Sequence, residues 1–240
     1  MNDTPAVPRY AVPSTARAIV AIAALTWRRA IRGRAPWVTG VLALLPLLYA
    51  SLTYRYSHRV DAMFMRGVFG IVMLTLTISP AMNVASSLGE ELEERTSAYL
   101  WSRPLARWTI VAGKLVALAP MVAFGAIVGL VLAHVGSDGN VPPVQVLAAV
   151  GIAALAFCVA AAAVATIAPK NGMTLAICYA LFIDLALSAL PISLRNISIS
   201  YHASSIAGMS VNSVSSGLIG ITCIVTVWGA IGLWRIRNIE

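Results

Sequence analysis

The sequence predicts an all-α membrane protein: six transmembrane helices, preceded by an amphipathic interface helix and carrying a short cytoplasmic helix between spans two and three. Of its 240 residues, 59% are hydrophobic and 11% charged, against about 25% charged in an ordinary soluble domain. The apolar residues come in blocks of about 18 or more, the length that carries a helix across a hydrocarbon core of roughly 30 Å. They do not alternate in polarity, as the strands of a membrane β-barrel would. The basic residues are unevenly shared, with thirteen of seventeen falling on one side of a six-span arrangement.

Residues 1–35 form an N-terminal part. Pro5, Pro8 and Pro13 keep the opening stretch irregular. From residue 14 to 33 the pattern is helical, with Ser14 or Thr15 placed to cap. Ile19, Ile22, Ala23, Leu25, Trp27, Ala30 and Ile31 supply apolar area, while Arg28, Arg29 and Arg32 stay near water. That pattern suits a helix lying in the membrane surface, either anchoring the start of span one or offering a docking surface. Five arginines between Arg17 and Arg34, with no short apolar region and cleavage site before them, do not fit a secretory signal peptide.

Residues 36–240 hold the spans, expected near 37–54, 65–88, 108–134, 144–168, 173–194 and 213–234. Pro36-Trp37 opens the first, and Trp228 and Trp234 close the last, aromatic residues that favour the headgroup level. Pro80 and Pro120 fall inside spans two and three, where neighbouring groups can satisfy a freed carbonyl. The run Ala160 to Ala163 and the spacing of Gly217 and Gly220 suit close helix packing.

An even number of spans puts both termini on one side, and the side richer in Lys and Arg is expected to be cytoplasmic. Arg55, Arg59, Arg66 and Arg195 fall on the other. The net charge of +8 is scattered over membrane-flanking loops. It lacks the basic stripe with interleaved aromatics of a nucleic-acid binder, and anionic headgroups are the expected partner of most of it. Cys158, Cys178 and Cys223 lie inside spans without metal-ligand spacing, and His58, His134 and His202 have no partner at helical spacing. No Gly-rich phosphate loop ending in Lys-Ser or Lys-Thr is present. The sequence thus carries no readable ATP site, nucleophilic triad or zinc site.

The most informative stretch follows span two. Glu90, Glu91, Glu93 and Glu94 place four of the nine acidic residues in five positions, beside the membrane. Leu92, Tyr99, Leu100 and Trp101 are interleaved with them, giving a short helix with a charged and an apolar side. Pro104 ends it before Arg107 and span three. Such a helix is built to touch another protein.

These residues resemble the permease subunits of type-2 ABC exporters. In that family the loop after span two has an acidic-x-acidic pair, Gly-Thr, a Leu-rich turn, Pro, Arg three residues on, and Gly-Lys at the start of span three. Here stand Glu91 and Glu93, Thr96, Leu100, Pro104, Arg107 and Gly113-Lys114, with the spacing from Thr96 onward kept. Arg95 takes the place of the usual glycine, which alters the local turn and leaves the register intact. The resemblance is specific over residues 91–114 and architectural elsewhere.

It implies that this loop includes a coupling helix seated in a groove of a separate ATP-hydrolysing subunit. Tyr99, Leu100 and Trp101 would provide apolar contact, and Glu91, Glu93, Glu94 and Arg103 would orient the dock. The turn Pro169-Lys170-Asn171-Gly172 would be a second, smaller contact. The implied assembly has two permease chains, identical or different, and two ATP-binding cassette subunits. ATP and Mg would be bound by those partners, with no cofactor and no catalysis in this chain, in a prokaryotic plasma (inner) membrane. Lipids, hydrophobic drugs, peptides and polysaccharide precursors are all cargo within the family.

Asp184 is the one acidic residue deep within a span. A charged carboxylate at the bilayer centre costs about 2.5–3.5 kcal/mol on insertion scales. It therefore either lines a substrate path, or is protonated or hydrogen-bonded to a neighbour such as Ser188. Residues 191–211 are polar and serine-rich but interleaved with Ile197, Ile199 and Ile206. They read either as short helices dipping into the membrane, as in the related family, or as an ordinary outer loop.

Overall fold

A computed structural model describes residues 14–33, 35–57, 61–93, 106, 108–137, 139–191 and 193–238. Among these residues every regular element is helical. Six helical stretches are long and apolar enough to cross a membrane: Pro36–Tyr56, Ala62–Leu92, Trp108–Ser137, Val144–Ile167, Pro169–Ala189 and Val214–Arg237. This is a multi-pass helical bundle of membrane character.

In chain order the α-helices are α1 (Thr15–Arg32), α2 (Ala35–Ser57), α3 (Ala62–Pro80), α4 (Ser86–Glu93), α5 (Trp108–Ser137), α6 (Val144–Ile167), α7 (Gly172–Cys178), α8 (Ala186–Ala189), α9 (Ile199–Ile206) and α10 (Val214–Arg237). The second span is α3 and α4 joined by a π-helical turn, Ala81–Ala85, and the fifth is α7 and α8 joined by another, Tyr179–Leu185. α1, the starts of α2 and α5, and the ends of α4, α6 and α10 share one end of the bundle, called here the basic end.

The second and fourth spans form the centre, with 72% and 67% of their apolar windows buried, while the sixth has 17%. The reason lies in side-chain size. α6 presents Ala149, Ala153, Ala154, Ala156 and the run Ala160 to Ala163, all buried, so helices can approach it on several sides. Against α5, α2 comes so close that a Cβ on Gly129 would meet the Ala43 carbonyl oxygen at 2.7 Å. Outward faces carry Phe182, Ile183, Ile219, Val227, Leu233 and Trp234, all exposed, as lipid-facing residues should be.

The first π turn begins directly after Pro80. The Ser86 N–H then donates to the Ala81 carbonyl, five residues back. The buried Asn83 fills the widened turn, its Nδ2 donating to the Ser79 carbonyl at 2.8 Å and to Thr39 Oγ1 at 3.3 Å.

Three features depart from the sequence reading. Span five ends at Ala189 and not near 194, because Pro191 disfavours helical backbone at the residue before it, and Leu190 is extended (φ −82°, ψ 137°). Trp228 is no headgroup-level aromatic: it lies well inside α10, its Nε1 donating to the Tyr179 hydroxyl at 3.1 Å and its ring edge-on to Tyr179 at 4.9 Å. Ser14 occupies the N-cap of α1, but its hydroxyl makes no capping bond.

Candidate functional site

At the basic end, Lys114 lies in the second turn of α5 with only 2% of its side chain exposed. Burying an ammonium costs several kcal/mol unless it is paired and hydrogen-bonded. Its Nζ lies 2.9 Å from Glu91 Oε2, donates to Ser87 Oγ at 2.9 Å and donates to the Ser87 carbonyl. Three partners match the three donors of the group. The start of span three is thereby bolted to α4, on the far side of a loop of more than a dozen residues.

The glycine beside it serves the opposite face. A Cβ on Gly113 would sit 2.7 Å from Ile22 Cγ2 and 3.1 Å from the Ile19 carbonyl, so only glycine lets α1 lie against α5. Ile19 and Ile22 of the interface stretch thus turn inward, while Val20, Leu25, Trp27 and Ile31 stay exposed. The Gly113-Lys114 pair is a double contact, one residue admitting α1 and the next holding α4. Arg29 and Glu90 approach to 3.9 Å with side chains 78% and 62% exposed, a pair of little energetic weight.

A third close approach joins the turn between spans four and five to the same place. A Cβ on Gly89 would come within 2.7 Å of the Pro169 carbonyl. Pro169–Asn171 form a 3₁₀ turn with Lys170 and Asn171 exposed. A shallow cleft of about 180 Å³ runs between Glu90 and Thr174. Gly89 and Glu90, at the root of the acidic stretch, are therefore neighbours of the turn Pro169 to Gly172. Glu93 closes α4. Glu94, Arg95, Thr96, Tyr99, Leu100, Trp101, Arg103, Pro104 and Arg107 lie outside the described residues, and with them the coupling helix they would form. Beneath α1 a second cavity of about 340 Å³ is lined by Arg29, Asn83, Ser86, Ser87, Glu90 and Glu91.

At the opposite end, Asp184 is 1% exposed and faces the start of α9. Its Oδ1 accepts from the Ile199 N–H at 2.5 Å, and its Oδ2 from the Ser200 N–H at 3.1 Å and the Ser200 hydroxyl at 2.6 Å. Free N–H groups and the helix dipole favour a carboxylate there. Ser198 adds the local cap, its hydroxyl accepting from the Tyr201 N–H at 3.1 Å. Ser188, the neighbour suggested by sequence, donates to the Leu185 carbonyl at 2.6 Å instead.

Residues 191–211 accordingly pack as short helical pieces. Ser193–Ile197 is a 3₁₀ turn, and α9 has eight residues, far too short to cross a bilayer. Seven of those eight are buried, including Ser200, Tyr201, His202 and Ser205, because α9 is wedged against α6 and α10. Gly217 and Gly220 make that possible: a Cβ on the first would meet the His202 carbonyl at 2.8 Å, and one on the second would collide with the His202 ring. His202 Nε2 donates to the Asn196 carbonyl at 2.8 Å, which leaves Nδ1 buried without a partner.

Beside α9 a chamber of about 590 Å³ opens, lined by Arg66, Phe69 and Met73 of α3, Leu185 of span five, and Arg195, Tyr201 and Ser204. Asp184 does not line it; Ser200 stands between. Sequence reasoning left His202 and Arg195 unassigned, and the only signal for them was the polarity of residues 191–211. Among the described residues, no three His, Cys, Asp or Glu side chains converge to hold a metal. No protein-family model matches the chain, and no curated protein matches it either.

Proposed function

We propose that this chain is the permease subunit of an ATP-driven exporter of the type-2 ABC kind. It would work as one of two permease chains, driven by two separate ATP-hydrolysing subunits that dock at the basic end. The basic end would face the cytoplasm of a prokaryotic cell, with both termini on that side. The observation that carries this reading is the convergence at Gly89. There the helix leading into the acidic, aromatic loop touches the Pro169 turn, so the root of the first expected docking stretch meets the second. The Lys114–Glu91 pair supports it, because a docked loop transmits motion only if its ends are rigidly joined to spans.

Closure of the ATP-hydrolysing subunits would push residues 94–107, and the second and third spans would follow as rigid bodies. α1, seated at Gly113, would lie in the membrane surface on its exposed apolar arc.

The test is gentle detergent purification of the tagged chain from its own cells, counting what accompanies it. An ATP-binding subunit in equal amount, lost when Glu93 and Leu100 are altered, is the expected result. Glu93→Lys should uncouple transport while membrane insertion stays normal. A chain that comes out alone, in a preparation that preserves other membrane complexes, would overturn the proposal.

A further inference from the structure

We infer that the chamber beside α9 is a binding site for an anionic amphiphile, a phosphate or carboxylate headgroup carried on an apolar chain. The polar half of the site is cationic. Arg66 and Arg195 both line the chamber, and among the described residues no acidic side chain does. Among the described residues neither arginine forms an ion pair. The Asp184 carboxylate, behind Ser200, is committed to the two N–H groups and the hydroxyl at the start of α9. Asp61 is likewise engaged, accepting from the Phe64 N–H at 2.8 Å.

Arg195 is also positioned. Its guanidinium lies 4.7 Å from the centre of the Tyr201 ring, a cation–π contact that orients the planar fork. The ring is itself held: Tyr201 is 6% exposed, and its hydroxyl accepts from Asn212 Nδ2 at 2.8 Å. Two guanidiniums with open donors, one fixed on a buried ring, suit the bidentate recognition of a phosphate or carboxylate. Low-dielectric walls on one side of a charged cleft strengthen the field within it.

The other half of the chamber is apolar. Phe69, Met73, Leu185 and Met209 line it, and they have nothing to offer a free inorganic anion. A hydrocarbon chain passing over them would remove that surface from water. The combination favours a molecule with both parts, whether it is a membrane lipid or an exported cargo.

Binding needs neither a partner subunit nor ATP, so its failure would leave the docking proposal untouched. The experiment titrates the purified full chain, in a neutral detergent, with dihexanoyl phosphatidylglycerol, dihexanoyl phosphatidylcholine and inorganic phosphate, read by native mass spectrometry. The anionic lipid should bind more tightly than the zwitterionic one or phosphate. Arg66→Gln with Arg195→Gln should weaken it about tenfold or more, the size of a lost charge-assisted contact. Arg66→Lys with Arg195→Lys should retain part of the affinity, and Arg235→Gln at the basic end should change nothing. A cargo source is distinguished from a bystander lipid by a separate arm that rests on the proposed function: the titration is repeated on the complex with its ATP-hydrolysing subunits and ATP, where cargo is depleted from the site and a resident lipid is not. The titration of the chain alone decides whether the site exists. Equal affinity for the three probes, or an unchanged affinity in a glutamine double variant that stays monodisperse, would overturn it.

Discussion

Lys114 and Glu91, 23 positions apart in sequence, meet at 2.9 Å at the basic end of the bundle, where the ammonium is almost wholly buried and the carboxylate about one quarter exposed. The pair closes the loop between the second and third spans at its root. It also joins the acidic residue of the loop motif to the lysine of its Gly-Lys end. Two residues that sequence spacing treats as separate landmarks are one structural element.

Removing either partner should therefore destabilise the protein unequally. Lys114→Met leaves Glu91 free to rehydrate, whereas Glu91→Leu leaves a buried ammonium with only Ser87. We expect Glu91→Leu to be the more damaging, by about 2–3 kcal/mol, and Lys114→Met by about 1–2. The double variant should recover part of the loss, giving a coupling energy of about 1–2 kcal/mol. Thermal unfolding in detergent of the four proteins measures it, and strict additivity would show that the pair is not coupled.

Asp184 makes a different prediction. Asp184→Leu orphans two buried N–H groups and a hydroxyl at the start of α9, each worth about 1–3 kcal/mol when left unsatisfied. Asp184→Asn keeps one good acceptor and should cost less. Protease cleavage or hydrogen exchange within residues 190–213 should rise strongly in the first variant and modestly in the second. Normal assembly together with normal transport in Asp184→Asn would confine the residue to holding α9.

Gly89→Val probes the proposed docking face directly. The new side chain must displace the Pro169 carbonyl, which a single Cβ would already approach to 2.7 Å. We expect normal membrane insertion and a loss of the co-purifying ATP-hydrolysing subunit by at least about half, since misplacing one contact by about 1 Å is costly in a preorganised site. Undiminished co-purification would place the dock wholly within residues 94–107.

Gly220→Leu tests how α9 is held from the other side. Its side chain has to evict the His202 ring, and the Asn196 bond goes with it. Overpacking of this kind costs about 1–3 kcal/mol, and pairing it with His202→Ala should restore part of the loss by opening room. Unfolding temperatures of the two single variants and the double variant decide it.

Much of this architecture was legible in the chain, and the reason is local. The free energy of moving a 20-residue apolar block out of water depends on that block alone, so all six spans could be placed from composition. Their ends shifted by a few residues, most at span five, which stops at Ala189 because Leu190 precedes Pro191. The uneven sharing of Lys and Arg and the odd polarity of residues 191–211 were visible for the same reason, as was the peculiarity of Asp184.

Tertiary structure decided the partners. Asp184 finds its acceptor role 15 and 16 residues away, at the start of α9, and no periodicity links a carboxylate near the end of the fifth span to a short helix in another element. Trp228 reads as a headgroup aromatic until Tyr179 meets it from the fifth span. Gly113 and Lys114 read as one landmark until α1 occupies one side and α4 the other. Apolar length along the chain sets which segments leave water. Which side chains then satisfy one another depends on helix approach to within a few ångströms, and that distance is set jointly by small residues on helices far apart in the chain.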